Sequence, residues 1–300
     1  MADFHSTQAA RAIRARRGDA LPALMLLAPF GITFLLFFLL PTLQTFYMSL
    51  TESSLTRTNA FIGIANYVTL VQDPSFWSAV GNTFYFALLT VVPLTALGLV
   101  MALLVDHFTR ASSWLQGAFF LPYVLPISVM TLIADWMLQP STGVVNQALG
   151  LERAWLADVT WALPVVAIAT IWWTVGFNML MFLAGLRNIP ADLYEAAALD
   201  GARGFTLFRN ITWPALRPVV GLALVLQLIA SMKVFGQTYI LTVGGPFNTT
   251  RMTLHYMYET AFIQSDAGYA AAIAMAFVAI VIALSLAQAG LSRWLSRGKA

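Results

Sequence analysis

Groups able to do catalytic or metal chemistry are sparse in this chain. It has no cysteine and three histidines, His5, His107 and His255. Without cysteine there is no disulfide framework, thiol nucleophile or cysteine-based zinc site. The histidines are scattered, and neither H-E-x-x-H nor G-x-S-x-G occurs, so a membrane-embedded hydrolase has no constellation to work with. Of the two lysines, Lys233 follows Met232, and Lys299 follows Gly298 but precedes Ala300 where Ser or Thr is required. Neither completes the G-x-x-x-x-G-K-[ST] loop that cradles nucleotide phosphates. If the chain depends on ATP, another polypeptide must hydrolyse it.

What remains is a handful of polar groups set within apolar runs. Lys233 lies eight residues before Leu241, about 12 Å from the outer end of its run at 1.5 Å per residue. One reading is a snorkelling lysine whose stem reaches the interface. The other is a pathway residue that contacts a hydroxyl-rich or anionic solute, or pairs with Asp135. Asn178 and Gln227 sit deeper, where an amide either bonds a neighbouring helix or lines a cavity. Trp172, Trp173, Tyr85 and Tyr123 fall away from the ends of their runs. Aromatics at helical spacing usually pack. A pyranose, however, has an apolar C–H face and a polar rim, which suits an aromatic face beside amides. Asn178, Trp173, Gln227 and Lys233 are therefore the candidate pathway residues, because polar groups inside a membrane are costly and carry a functional hypothesis by default.

The elements that carry these residues are set by composition. Of 300 residues, 59% are hydrophobic and 10% charged, against about 45–50% and about 25% for ordinary soluble domains. So few charges cannot cover a globule that faces water on all sides. A typical cytosolic enzyme, a secreted disulfide scaffold and a disordered chain are all excluded. The net charge of +3 gives no reason to expect nucleic acid. The lipid bilayer is the solvent for most of this chain.

Six runs reach the roughly 20 apolar residues needed to cross about 30 Å of hydrocarbon. They extend from about Leu21 to Leu50, Phe76 to Val105, Ala111 to Leu138, Trp161 to Leu186, Pro214 to Leu241 and Ala267 to Leu291. None shows the alternation of a membrane β-strand, and a lipid-facing backbone must satisfy its own hydrogen bonds. The expected fold is an all-α integral membrane protein with six transmembrane helices. The first run is too long for a signal peptide and has no small-residue cleavage site after it. It is expected to be a retained helix bent by Pro41.

Basic residues in the connections set the direction. One side collects Arg11, Arg14, Arg16, Arg17, Arg110, Arg187, Arg203, Arg209, Arg217, Arg293, Arg297 and Lys299. The other side has Arg57, Arg153 and Arg251. Twelve against three places both termini and the Arg187–Arg217 connection in the cytoplasm. The chain then divides into a basic N-terminal segment (1–20), a membrane domain (21–291) and a basic tail (292–300). The outer connections are too short to fold as domains, so any soluble partners must be separate chains.

The connection from Arg187 to Pro218, RNIPADLYEAAALDGARGFTLFRNITWPALRP, is longer than a turn requires and predicts two short helices. Pro190 suits a first helical position with Asn188 or Ile189 as its cap. Asp192 and Glu195 suit the positive end of the helix dipole, and Ala196, Ala197, Ala198 and Leu199 favour helix. Gly201 supplies a left-handed stop. A second helix follows with Phe205, Phe208 and Ile211 on one face, closed by Pro214 and Pro218. Such an element either rests on the lipid surface or its own bundle, or fits its apolar stripe into a groove on a partner.

The spacing within this segment resembles the EAA loop of binding-protein-dependent ABC importer permeases. Glu195-Ala196-Ala197 is followed after three intervening residues by Gly201, after nine more by Ile211, and after one more by Trp213-Pro214. Asp200-Gly201-Ala202 also fits, and Trp213 stands where that family usually has Leu. The outer segment LTVGGPFNTTRMTLHYMYETAF, from Leu241 to Phe262, is similar to the carbohydrate branch, the maltose- and glycerol-phosphate-type permeases. The resemblance implies that 187–218 is a cytoplasmic coupling loop between the fourth and fifth spans. Glu195, Ala196, Ala197, Asp200, Gly201, Arg203 and Phe205 would then meet an ATPase subunit. It further implies two ABC ATPase subunits carrying ATP and Mg, with no cofactor on this chain. A second, different permease and an extracytoplasmic solute-binding protein complete the set, in a bacterial or archaeal plasma (inner) membrane. The competing reading is a stand-alone secondary transporter or channel. That reading calls for paired ionisable groups near mid-membrane and inverted repeats; the sequence offers one off-centre lysine.

Overall fold

The computed structural model describes residues 20–54, 56, 58–108 and 111–297. The basic N-terminal segment with His5, and Arg57, Arg110 and Lys299, lie outside the described residues. The architecture is helical, with one small antiparallel hairpin pairing Thr51–Ser53 with Thr58–Phe61. Five helices are long and apolar enough to cross a membrane, or six if a sharply bent pair counts as one span.

The first span, Met25–Ser49, is strongly apolar, with its few polar side chains mainly Thr42, Gln44, Thr45 and Ser49 toward its end, and is largely uncovered. Its turns widen to π geometry over Leu35–Leu39, where the Leu40 N–H reaches back to the Leu35 carbonyl just ahead of Pro41. The second span, Pro74–His107, is capped by Asp73, whose carboxylate accepts from the Ser75 N–H at 2.8 Å. It packs most extensively on the fourth span, Ala162–Arg187. Ala102, Val105, Met179, Phe182, Leu183 and Leu186 from these two helices close around Leu216 and Ala223 of the fifth to form a buried apolar cluster. Backbones approach closely in this bundle. A Cβ on Gly176 would stand 2.1 Å from the Phe119 carbonyl oxygen of the third span, so only glycine fits there.

Several runs differ from the hydropathy reading. The third run is two helices, Ser112–Val124 and Ile127–Leu138, meeting at 96°. Pro126 removes a donor and drives Leu125 into extended geometry (φ −66°, ψ 135°). The second short helix of the 187–218 connection does not stop at Pro214. Gly204–Leu207 runs through a π turn, Phe208–Thr212, into Trp213–Met232 as one helical body. The Trp213 N–H bonds the Phe208 carbonyl five residues back, ahead of Pro214 as at Pro41. A proline ring crowds the carbonyl four residues earlier, and a widened turn gives it room. Finally, this fifth span ends at Met232 rather than near Leu241, and a separate helix, Gly236–Thr242, follows. The sixth helix, Ala267–Arg297, extends past Leu291.

Candidate functional site

The 187–218 connection folds as a helix, a glycine turn and a second helix. The first helix covers Ala191–Leu199, with Pro190 as its N-cap residue rather than its first helical one. Its C-terminus is a full Schellman closure. The Gly201 N–H bonds the Ala198 carbonyl at 3.1 Å and the Ala202 N–H bonds the Ala197 carbonyl at 2.9 Å. Gly201 holds φ +77°, a conformation that costs other L-residues about 1–2 kcal/mol. The backbone at this turn is thus satisfied from within the segment.

The side chains divide by face. Ala197 is buried and Tyr194 half-buried, with the Tyr194 hydroxyl 3.1 Å from Thr212 Oγ1. That contact ties the first helix to the π turn. Glu195, Ala196, Asp200, Gly201 and Arg203 are exposed. So are Phe205, at 74%, and Leu199, at 90%. The exposure of Leu199 was missed because in sequence it reads as one more helix former. Its position just before the glycine stop, at the tip of the turn, is the feature that could have found it. The aromatic stripe is graded: Phe205 stands clear, while Phe208 and Ile211 are half-buried against the body of the protein.

The four candidate pathway residues separate. Asn178 and Gln227 come together: Gln227 Nε2 donates to Asn178 Oδ1 at 2.8 Å, with both side chains buried. Gly98 of the second span leaves the space, since a Cβ there would lie 2.6 Å from Asn178 Cβ. This amide pair joins the fourth and fifth spans. A second polar tie, Thr90 Oγ1 to Ser231 Oγ at 2.8 Å, joins the second and fifth. Trp173 does different work. Its indole N–H donates to the Leu125 carbonyl at 3.1 Å, at the break in the third span, beside Tyr123. Lys233 is exposed and is the C-cap of the fifth span rather than a residue within it. No ion pair between Lys233 and Asp135 occurs among the described residues.

Sequence reasoning missed a polar network on the side of the helix ends at Asp73 and Ala267. Asp73 accepts from Tyr256 at 2.6 Å and from Tyr269 at 2.7 Å. Burial pushes its carboxyl up, but the hydrogen bonds from both tyrosines and from the Ser75 N–H outweigh this and hold it below the usual carboxylate range. Burial and the nearby Asp73 push the Tyr256 hydroxyl up to about 12. The Arg251 guanidinium lies 4.8 Å from the centre of the Tyr256 ring and 3.4 Å from Glu259. Glu259 also stands 3.3 Å from His255 Nε2, too poorly aligned for a hydrogen bond, so both ring nitrogens of His255 are unpartnered. Burial pulls the His255 imidazole below its ordinary value, Glu259 opposes that and Arg251 adds to it. Asn82 completes the network by donating to the Asn248 and Arg251 carbonyls at 2.9 and 3.1 Å. The loop so held, around Gly244–Asn248, carries four consecutive or near-consecutive residues at positive φ: Val243, Gly244, Phe247 and Asn248.

A helix–glycine–helix insert with an outward apolar tip, set between long apolar spans, is the geometry on which comparison with known proteins bears. Residues 94–297 match the family model described as the binding-protein-dependent transport system inner membrane component. This chain belongs to that family. Within it, the chain is 36% identical over 270 residues to the sulfoquinovosyl glycerol transport system permease protein SmoG of Agrobacterium fabrum, covering 88% of this chain and 87% of the relative. It is 30% identical over 275 residues to the trehalose/maltose transport system permease protein MalF of Thermococcus litoralis, covering 90% and 93%. A solved bacterial ABC transporter involved in the import of the acidic polysaccharide alginate has a similar chain. That match has a TM-score of 0.81 at 26% identity, covering 94% of this chain and 98% of the other. As an inner membrane component of a binding-protein-dependent transport system, the chain is a permease subunit whose work is passage across the membrane.

Proposed function

We propose that this permease forms half of the translocation pathway of an ATP-driven importer for a carbohydrate or related polyol or glycerol-phosphate solute. The solute class is supported by what its relatives are named for: a sulfoquinovosyl glycerol, trehalose and maltose, and, for the solved transporter, alginate. A second, different permease supplies the other half, the bent third pair serves as one of six spans, and both termini face the cytoplasm. The solute-binding protein delivers substrate from outside. The alginate transporter has also been solved in complex with a pentasaccharide-bound periplasmic protein, which supports that partner.

The observation that carries the coupling role is the unsatisfied surface of the 191–205 turn. Its backbone closes on itself, yet Leu199 and Phe205 stand out of the protein beside Glu195 and Asp200. Apolar knobs exposed this far beyond a packed body fit a groove on a partner. The partner is an ATPase subunit, one of two, which holds ATP with its Mg. Closure of the ATPase pair draws the turn inward. Tyr194–Thr212 and the unbroken helix Gly204–Met232 carry that displacement into the bundle, which alternates between inward- and outward-facing states. Asn178, Trp173, Gln227 and Lys233 remain the proposed pathway residues. The two amides, Asn178 and Gln227, must then exchange their mutual bond for solute hydroxyls as the bundle opens.

Co-purification with the proteins encoded beside this gene tests the reading. Stoichiometric recovery of an ATPase with the wild-type chain, weakened by Glu195→Lys and by Gly201→Pro, is expected. A chain that purifies alone and moves solute without ATP overturns it.

A further inference from the structure

The π turn at Phe208–Thr212 and the start of the fifth span enclose a groove of about 690 Å³, lined by Phe205, Phe208, Arg209, Trp213 and Arg217 among others. Three features of this groove do not follow from the coupling role. First, Arg209 and Arg217 are both exposed, and neither has an acidic partner among the described residues. Both line the groove, with Trp213 midway between them in sequence. Second, three aromatic rings share the lining: Phe205 and Phe208 are 6.3 Å apart, and Phe208 and Trp213 are 6.2 Å apart. Third, an uncovered apolar stripe leads away from Arg217 along the same helix. Pro218, Leu222 and Leu226 follow at four-residue spacing, with Leu222 54% and Leu226 41% exposed, so they share a face.

From this arrangement we infer that the groove holds the headgroup of an anionic phospholipid. Two guanidinium groups can engage a phosphodiester by paired N–H···O bonds. The indole of Trp213 favours the boundary between headgroups and hydrocarbon. The stripe through Leu222 and Leu226 gives an acyl chain an apolar track from that same point. An acidic protein segment would satisfy the arginines but would not continue along a membrane-spanning face, and a free phosphate would leave both the aromatic rings and the stripe unused. Basic pockets beside spanning helices on the cytoplasmic side suit such headgroups. The inference rests on the cytoplasmic placement of the 187–218 connection proposed above. Its consequence is regulatory: the lipid would brace the helix that joins the coupling turn to the bundle.

The test uses the complex of this chain with its co-encoded partners, in phosphatidylcholine nanodiscs doped with phosphatidylglycerol and read by native mass spectrometry. The wild-type complex is expected to retain phosphatidylglycerol in preference to phosphatidylcholine. Arg209→Gln with Arg217→Gln is expected to lower that retention about tenfold, while Arg187→Gln, which removes a charge at the same end of the spans but outside the groove lining, leaves it unchanged. ATPase and second permease should stay bound in all three. Equal retention of the two lipids by wild type, or unchanged retention by the double variant, overturns the inference. Loss of a partner protein from the double variant with lipid retention unchanged also overturns it and assigns the groove to that protein. A wild-type chain that recovers no ATPase fails the importer reading instead, and the lipid ratio is read separately from it.

Discussion

The 191–213 turn and the Asp73–Tyr256–Tyr269 network lie in different parts of the permease and are built on opposite plans. The turn satisfies its backbone locally and leaves its side chains outside, with Leu199 and Phe205 largely exposed. The network does the reverse. Its polar side chains are turned inward onto each other, and they join the cap of the second span, a short helix and the start of the sixth. The difference separates two kinds of polar investment in a membrane protein. In the proposed coupling role the first region keeps a shape for a partner to grip, so altering it should disturb coupling more than stability. The other holds helix ends in place, so altering it should disturb stability first.

The largest effect expected from this contrast is at Asp73. Asp73→Ala leaves the Tyr256 and Tyr269 hydroxyls and the Ser75 N–H without their acceptor, and each buried group left unpaired costs about 1–3 kcal/mol. The thermal midpoint of the purified chain should fall by several degrees, and Asp73→Asn should recover part of the loss. At Gly201 the balance reverses. Gly201→Val forces a β-branched residue to φ +77°, and reshaping the turn should lower ATP-dependent solute uptake at least tenfold while lowering the midpoint less than Asp73→Ala does. If Gly201→Val costs more stability than Asp73→Ala, the division of labour between the two regions is wrong.

A smaller effect is expected inside the bundle. The Gln227–Asn178 bond is buried at 2.8 Å, yet polar ties between spanning helices average about 0.6 kcal/mol in double-mutant cycles. A cycle of Asn178→Leu and Gln227→Leu, read by thermal unfolding, should return a coupling of that order. A coupling near zero would free both amides for solute contact in the resting state.

How much of this was legible in sequence follows the same division. The glycine stop, the helix from 191 and the outward Phe205 were readable because Pro190, the alanines and Gly201 act within a few residues of themselves. The spans were readable because each is long and uniformly apolar. The 96° break was marked by Pro126, but hydropathy averages over a single proline and merged the two helices. Pro214 misled in the other direction: a proline reads as a stop, and the π turn that lets the helix pass it depends on the backbone of Phe208–Trp213 rather than on any residue type. The amide partnership of Asn178 with Gln227 spans 49 residues, and the bonds from Asp73 to Tyr256 and Tyr269 span 183 and 196. No local pattern encodes such pairings, so nothing in the sequence singled out Asp73.

The smallest effect is a pH dependence confined to the network. His255 is fully buried, faces Glu259 and Arg251, and packs edge-on against Phe235 and Tyr239. Burial depresses its protonation, with Arg251 adding to that and Glu259 opposing it. The folded chain therefore holds this imidazole neutral at a pH where the unfolded chain, near the ordinary value of about 6.5, takes up a proton. The contribution is fully present above that value and is lost as the pH drops below it, levelling off once the folded imidazole also charges. Asp73, depressed in the same sense, adds no slope until far more acidic conditions. Acidifying from about pH 7.5 to about pH 5.5 should therefore lower the thermal midpoint and speed amide exchange in 243–259, leaving 191–205 unmoved. His255→Gln, which cannot charge, should flatten the response. An equal slope in wild type and His255→Gln would place the titrating group elsewhere, and acid-sensitive exchange in the 191–205 turn would show that the two regions are coupled more tightly than their separate hydrogen bonding suggests.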